Sequence, residues 1–349
     1  MKVAVYTIAL NEQEFVKRWA DSCKEADFRF ILDTGSTDGT VESAYANGVD
    51  CMIASIKPWR FDDARNASLA LIPDDIDYCI ALDMDEVLLP GWREELEKAH
   101  KLGLTRPRYK YTWSWASEGV PGLQYGGDKI HARNGYRWKH PVHEVITSDR
   151  IEEKQGWISL EIHHYPDDTK SRGQYLPLLA LSVQEDPWDD RNAYYFAREL
   201  FFKQQYAKAA EEFKRHLGLP RAVWRPERAA SMRYIAKCDP TQTKLWLEKA
   251  IQEDPGRREA LVELAKWGYE TGDWETSLSS AEAALKITEK PLDYLCEEFA
   301  WGALPYDLAA LAAFNLKQFD KALEYGTKAA ELEPANERLQ RNLAFYQAN

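Results

Sequence analysis

Tyr78-Cys79-Ile80-Ala81-Leu82-Asp83-Met84-Asp85-Glu86 joins an unbroken apolar run to a pair of carboxylates. An apolar run without polar alternation suits a strand buried on both faces of a parallel sheet. Asp83 and Asp85 then stand at the exposed carboxyl end of that strand, where open α/β sheets bind ligands. Two carboxylates two residues apart can hold a hard divalent cation, Mg²⁺ or Mn²⁺, which neutralises a diphosphate leaving group. Alone the spacing is weak: Asp75-Ile76-Asp77 repeats it, but precedes the strand and reads as a solvated turn.

Upstream, β-type runs alternate with helical ones: Val3 to Ile8, a helix from Glu14, Phe28 to Leu32, Thr40 to Asn47, Cys51 to Ile56, Asp62 to Ile72. Such alternation is the mark of βαβ units and a parallel sheet. Between Tyr109 and Tyr165 the pattern turns aromatic and alternating, broken by Gly and Pro, which predicts a mixed or antiparallel extension. The expected fold class is therefore an α/β domain over residues 1–172, followed by an all-α domain over 173–349.

From about Gln174 onward helical periodicity takes over. Tyr206 and Trp274 are 68 residues apart, and Ala250 and Ala284 are 34 apart. The interval matches the 34-residue tetratricopeptide period. Tyr306, Ala309, Ala310, Ala313, Ala322, Ala329 and Pro334 fall where that repeat wants an aromatic, small residues at the close helix contact and a terminating proline, a part Pro255 plays earlier. Pro255 and Pro334 are 79 apart, which places an insertion of about eleven residues within Glu289 to Pro305. The alternative is a plain helical bundle. Trp246, Trp267 and Trp301 are expected to pack between repeats, and the concave helical surface to offer a place for a protein partner or an acceptor.

Two further segments lie at strand ends: Thr7-Ile8-Ala9-Leu10-Asn11-Glu12, and Ile31-Leu32-Asp33-Thr34-Gly35-Ser36-Thr37-Asp38-Gly39-Thr40. Helix capping accounts for Asp38 or Thr40. It leaves Asp33 free to accept from a base N–H or a ribose hydroxyl.

With Asp83-Met84-Asp85, these ordered motifs resemble the family 2 glycosyltransferases of the GT-A fold, over roughly residues 1 to 90. The resemblance implies a donor nucleotide-sugar site, with a UDP-sugar favoured, built from Thr7, Ala9, Asn11, Asp33, Arg65, Asp83, Met84 and Asp85. Within it Thr7 and Asp33 border the base, Asp83 and Asp85 serve ribose and metal, and Arg65 approaches the phosphates. Independently, a cation at the start of a helix near a diphosphate makes electrostatic sense, the alternative for Arg65 being a surface ion pair.

His140-Pro141-Val142-His143-Glu144 and Glu161-Ile162-His163-His164-Tyr165 are similar to segments of glycosyltransferases that carry tetratricopeptide repeats behind the GT-A domain. That similarity implies that His164 completes the metal shell of Asp83 and Asp85. An inverting transfer needs a carboxylate to take the acceptor's proton, and Glu144 is the candidate base if the fold brings it opposite Asp85; a buried structural Glu is the alternative. The Glu-Asp pair that supplies the base in most of the family has no clear counterpart here. His163 and His164 point to opposite strand faces, so either is open as the ligand.

Residues 101 to 140 hold eight Lys or Arg against Glu118 and Asp128, a balance of +6 in a chain of −12. Cations interleaved with Trp113, Trp115, Arg133, Arg137 and Trp138 suit a polyanionic or sugar-bearing acceptor. The acceptors in view are a phosphorylated glycan, a peptide thiol or hydroxyl, or a hydroxymethylated nucleic-acid base. The alternative reading is that Tyr109, Tyr111, Trp113 and Trp115 share one strand face and fill a seam between sheet and helices.

A net charge of −12 over 349 residues argues against nonspecific coating of nucleic acid. Cys23, Cys51, Cys79, Cys238 and Cys296 are odd in number and show no C-x-x-C spacing, so they read as reduced core residues. The start lacks a signal peptide and no long apolar run occurs, which predicts a soluble, cytoplasmic protein without a transmembrane segment. The leading expectation is a metal-dependent hexosyltransferase that works with inversion; the rival is a tetratricopeptide scaffold with an inactive GT-A domain. A nucleotidyltransferase would want a glycine-rich, Lys-bearing loop after the first strand, which Ala9-Leu10-Asn11-Glu12 is not.

Overall fold

The computed structural model describes residues 1–117, 119–148, 150–166 and 173–348. Glu118 and residue 172, the expected end of the first domain, lie outside the described residues. The chain divides into two compact units, Met1–Ser182 and Val183–Asn349.

In the first unit β1 (Val3–Ala9), α1 (Gln13–Ser22), β2 (Phe28–Asp33), α2 (Thr40–Ala46), β3 (Asp50–Ile53), α3 (Phe61–Ala70) and β4 (Tyr78–Ala81) alternate. After them come β5 (Glu86–Leu88), α4 (Trp92–Lys101), β6 (Arg106–Thr112), β7 (Trp115–Ser117), β8 (Val120–Pro121), β9 (Gln124–Gly127), β10 (Ile130–Ala132), β11 (Tyr136–Lys139), β12 (Val145–Ser148) and β13 (Gln155–His164). The main sheet has the order β10-β4-β1-β2-β3, parallel throughout except for β10. Chain order reverses at β1, whose neighbours are β2 and β4, and the crevice at such a switch point is where ligands bind.

Period-two alternation gives the central strands two buried faces, which explains why β1, β2 and β4 read as continuous apolar runs, while the edge strand β3 stays largely exposed. Val3, Val5, Ile31 and Ile80 pack with Trp19 on one face, and Ala4, Tyr6, Phe30, Leu32 and Cys79 with Leu69 and Ile72 on the other. A second sheet, β5-β13-β6-β9, mixes parallel and antiparallel pairs, as the aromatic stretch predicts. One expectation fails here. Tyr109 and Tyr111 are buried in β6, but the strand ends at Thr112, so Trp113 and Trp115 do not continue its face. The ladder breaks because Ser114 turns the chain: its hydroxyl accepts from Leu123 N–H and its carbonyl from Gly122 N–H.

A buried polar chain ties β10 and β11 to β1. Trp138 Nε1 donates to the Tyr6 hydroxyl at 2.8 Å, which donates to His131 Nε2 at 3.0 Å, and His131 Nδ1 donates to the Ala132 carbonyl at 2.8 Å. This fixes the neutral tautomer.

The second unit is helical: α6 (Asp190–Phe202), α7 (Tyr206–Leu217), α8 (Arg225–Cys238), α9 (Thr243–Glu253), α10 (Glu259–Thr271), α11 (Trp274–Leu285), α12 (Leu304–Asn315), α13 (Phe319–Leu332) and α14 (Glu337–Gln347), with α5 (Tyr175–Glu185) crossing the division. Consecutive helices pack as hairpins, α6 with α7, α8 with α9, α10 with α11 and α12 with α13, while α6 also meets α8 and α10 meets α12. This is a repeat architecture of tetratricopeptide type. Tyr206 and Trp274 open equivalent helices, and Ala250, Ala284, Ala309, Ala313, Ala322 and Ala329 are buried where helices approach. Pro255 and Pro334 follow the ends of α9 and α13, where proline stops a helix. The expected insertion is the connection from 286 to 303, which lies against α8 through Glu297 with Arg233 at 2.7 Å and Tyr294 with Glu227 at 2.5 Å, against the turn before α10 through Asp293 with Arg257, and against α10 through Glu297 N–H donating to Glu259. Trp246, Trp267 and Trp301 are partly buried against neighbouring repeats.

Two outcomes follow. Burial pulls His131 down to about 4, so its contribution is fully present above the unfolded value of about 6.5 and is lost as the pH falls toward the folded one. Urea unfolding of the wild type should therefore weaken by about 2 kcal/mol more than that of His131→Gln between pH 7 and pH 4.5. In the repeats, a methyl group at Gly268 would sit 2.7 Å from Ser277 N and 2.8 Å from Asp273 O. Gly268→Ala should cost about 1–3 kcal/mol, read by thermal unfolding.

Candidate functional site

The loops after β1 and β2 are laced together. Asn11 has a left-handed backbone (φ 56°), which Asn tolerates and which turns its side chain onto the neighbouring loop. Its Oδ1 accepts from Thr37 N–H at 2.8 Å and its N–H donates to Ser36 Oγ at 2.8 Å. Glu12 N–H donates to Thr40 Oγ1 and Gln13 N–H to Asp38 Oδ2, while Asp38 Oδ1 accepts from Thr40 N–H.

Asp33 is held by the turn that follows β2. Its carboxylate is fully buried and satisfied by its own turn: Oδ1 accepts from Gly35 and Ser36 N–H at 2.9 and 2.8 Å, and Oδ2 from Ser36 Oγ. Local turn chemistry of the Asx type therefore accounts for Asp33 as well as for Asp38. Thr7 and Ala9 are likewise buried, and Thr7 Oγ1 turns to the Ile8 carbonyl.

Beyond β4 the chain meets a network of charges. Arg65, from the first turns of α3, donates through Nη2 to Asp83 Oδ1 at 2.7 Å and through Nε to Glu144, and its guanidinium carbon lies over the Trp138 ring, 5.0 Å from the centroid. Lys129 Nζ reaches Asp83 Oδ2 at 2.6 Å and Glu86 Oε1 at 2.9 Å. Glu86, 1% exposed, also accepts from the Tyr111 hydroxyl at 2.6 Å and from Asp83 N–H at 2.8 Å. Burial pushes the Asp83 carboxyl up, but Arg65 and Lys129 outweigh it and hold it well below the usual carboxylate range. For Glu86 burial wins, and despite Lys129 its carboxyl is raised, with Asp83 and Asp85 adding to the rise. Arg65 Nη1 is buried without a hydrogen-bond partner.

Asp85 faces a different neighbour. Its Oδ2 lies 3.3 Å from His164 Nε2, and His164 Nδ1 donates to the Trp113 carbonyl at 2.8 Å. That outer bond orients the ring so that Nε2 faces Asp85, the second-shell arrangement of metal-binding histidines. Burial lowers the His164 imidazole and Asp85 raises it, with a net rise. His163, on the opposite face of β13, pairs with Glu161 at 2.9 Å. Met84 is buried in the core between the two carboxylates.

The three expected ligands are thus not gathered into one cluster: Asp83 turns to Arg65 and Lys129, Asp85 to His164. No group of three metal-ligating side chains occurs among the described residues. Glu144 pairs with Arg65, which in turn reaches Asp83. His140 and His143, at φ 82° and 50°, both leave the usual backbone regions to bring it there.

The expected acceptor residues also separate. Trp138 is buried beneath Arg65, and Arg133 is spent on the Ile72 and Pro73 carbonyls. Arg106 pairs with Asp128 and Glu153, and Lys110 with Glu161. Acids from outside the stretch consume much of its +6 balance. Arg137 is exposed on β11, whereas Trp113 and Trp115 stand beside His164. Lys129 and Glu86 were not singled out in the sequence; the signal for Glu86 was its place immediately after the carboxylate pair.

No family model and no curated protein sequence matches the chain. Among solved structures it is similar to PilF of Pseudomonas aeruginosa (15% identity, TM-score 0.38, 49% of this chain and 72% of that one). It is also similar to YrrB, described as a TPR protein with an unusual peptide-binding site (14%, 0.39, 49% and 82%), and to yeast Tom70 (17%, 0.38, 52% and 37%). At these scores the likeness adds nothing to what the packing of α6 to α14 itself shows. No helix among the described residues is long and apolar enough to cross a membrane.

Removal of Lys129 leaves Glu86 buried beside Asp83 without its cation. Lys129→Met should lower stability at pH 7 by about 2 kcal/mol, because breaking a partly buried pair strands a charge. Since the Glu86 carboxyl is raised, the loss should shrink at pH 5, as urea unfolding at the two pH values will report.

Proposed function

We propose that the first unit is a glycosyltransferase domain that uses a nucleoside diphosphate sugar, a UDP-sugar by preference, together with Mn²⁺ or Mg²⁺. The observation that carries this reading is the juxtaposition, at the switch point of the sheet, of Asp85 with an oriented His164 and of Arg65 with a buried, unpaired Nη1. A carboxylate and an imidazole suit a divalent cation that takes its remaining ligands from phosphate oxygens and water. When bound there, the cation neutralises charge on a departing diphosphate.

In this reading the protein's own groups divide the work. Asp85 and His164 hold the cation. Arg65, locked by Glu144, Asp83 and the Trp138 ring, offers Nη1 to a phosphate oxygen without paying for reorientation. Asp83 and Lys129 neutralise one another, so Asp83 acts by positioning Arg65 and by accepting from a ribose hydroxyl. Glu144 is a positioning residue for Arg65 and is not assigned as the base.

The scaffold reading also has an observation in its favour, since the second unit is a helical repeat of the kind that binds partners and Asp83 is already neutralised by two cations. A panel of UDP, GDP and TDP sugars, assayed for Mn²⁺-dependent hydrolysis and thermal stabilisation, separates the two. The enzyme reading expects turnover with at least one sugar and its loss, by about two orders of magnitude or more, in Asp85→Ala. Silence across the whole panel would favour the scaffold, and full activity in Asp85→Ala would sink the assignment.

A further inference from the structure

Next to the Asp85–His164 pair stands a wall of rings that the charge network does not use. Trp113, 36% exposed, stacks on His164 with centroids 4.3 Å apart. Trp115 stacks on Tyr165 at 5.5 Å and 13°, and is anchored by donation from Nε1 to the His164 carbonyl at 3.0 Å. Tyr165, 37% exposed, is fixed through its N–H to the Asp85 carbonyl at 2.8 Å. This ledge and the expected cation site therefore share the same backbone.

Arg18 meets the ledge from α1, a helix tied to the end of β4 by Trp19 Nε1 donating to the Leu82 carbonyl at 2.9 Å. Its guanidinium lies over the Tyr165 ring at 5.1 Å and over Phe15 at 5.3 Å. Arg18 Nε and Nη2 are buried with no hydrogen-bond partner, and among the described residues no carboxylate pairs with this side chain. Desolvating an arginine without an anion is costly, and buried donors left unpaired are rare in folded proteins. Nearby cations are treated differently: Arg106, Lys110 and Lys129 all have acids. The contrast leaves Arg18 as a cation with no acid among the described residues.

We propose that Arg18, Tyr165, Trp115 and Trp113 form the acceptor subsite, and that it receives a sugar ring bearing one anionic group, a phosphate or a carboxylate. The ring face lies on the Trp115–Tyr165 ledge while the anion meets the Arg18 guanidinium, a charge that a neutral side chain does not supply. A single free guanidinium suits a single anion. A nucleic-acid strand presents a row of phosphates and calls for a row of free cations, and the basic stretch has largely been spent on internal acids. The inference rests on the glycosyltransferase reading for its name as an acceptor site, and on the ledge alone for its ligand.

Calorimetric titration with glucose, glucose 6-phosphate and glucuronate, each in the presence of UDP and Mn²⁺, tests it. The wild type should prefer at least one anionic sugar over glucose by about tenfold, the size of one charge-assisted hydrogen bond, and the two anionic probes tell phosphate from carboxylate. Arg18→Gln should erase the preference and Arg18→Lys should keep part of it, which separates lost charge from lost fold; Lys17→Gln, an exposed neighbour on α1, should behave as wild type. No preference in the wild type, or one that survives Arg18→Gln, overturns the proposal. So does loss of UDP binding in Arg18→Gln, which would move Arg18 to the donor phosphates, and so does tighter, Arg18-dependent binding of a single-stranded oligonucleotide. If the wild type fails to bind UDP, the glycosyltransferase reading falls, while the sugar preference, measured without UDP, still decides the ligand.

Discussion

Arg65 bridging Asp83 and Glu144 is the contact on which the first unit's crevice depends. It joins the start of α3, the end of β4 and the loop that follows β11, and Lys129 extends it through Asp83 to Glu86 and Tyr111. Charges alternate along this chain, so each group offsets the desolvation of the next. Such networks hold only when nearly complete, because a half-satisfied buried charge costs more than an apolar replacement. One donor, Arg65 Nη1, is left over.

The same network explains why the two aspartates after β4 differ. Their spacing in the sequence treats them as equals, yet the backbone turn sends Asp83 toward Arg65 and Lys129 and Asp85 toward His164. The imidazole's direction is set from outside by the Trp113 carbonyl, and Trp113 lies where it does because Ser114 ends the β6 ladder. A turn in a neighbouring sheet thus orients the group that would hold a cation.

Much of the architecture was legible because it obeys periodicity. Apolar runs buried on both faces announced the central parallel strands, alanines at fixed intervals announced the helical hairpins, and the spacing of Pro255 and Pro334 announced the long connection before α12. Side-chain partnerships were less legible, since they depend on contacts across many residues. The turn that holds Asp33 was local, and Gly35 and Ser36 were its signal. Nothing near Arg133 says that the carbonyls after α3 will claim it, and Trp138 reads as a surface aromatic until Tyr6 and Arg65 cover both its edge and its face. The positive stretch from 101 to 140 misled for a related reason: net charge counts residues, whereas binding depends on charges left without partners. Arg18 inverts that lesson, one unremarkable arginine on a helix surface whose missing partner appears only in three dimensions.

The central claim is that a divalent cation and a nucleoside diphosphate meet at Asp85 and His164, and crystals grown with UDP and Mn²⁺ test it most directly by anomalous scattering. The account predicts one manganese peak at about 2.0–2.3 Å from an Asp85 oxygen and His164 Nε2, with a phosphate oxygen within hydrogen-bond reach of Arg65 Nη1. A manganese held by Asp83, or nucleotide density away from the carboxyl ends of β1 and β4, would contradict it.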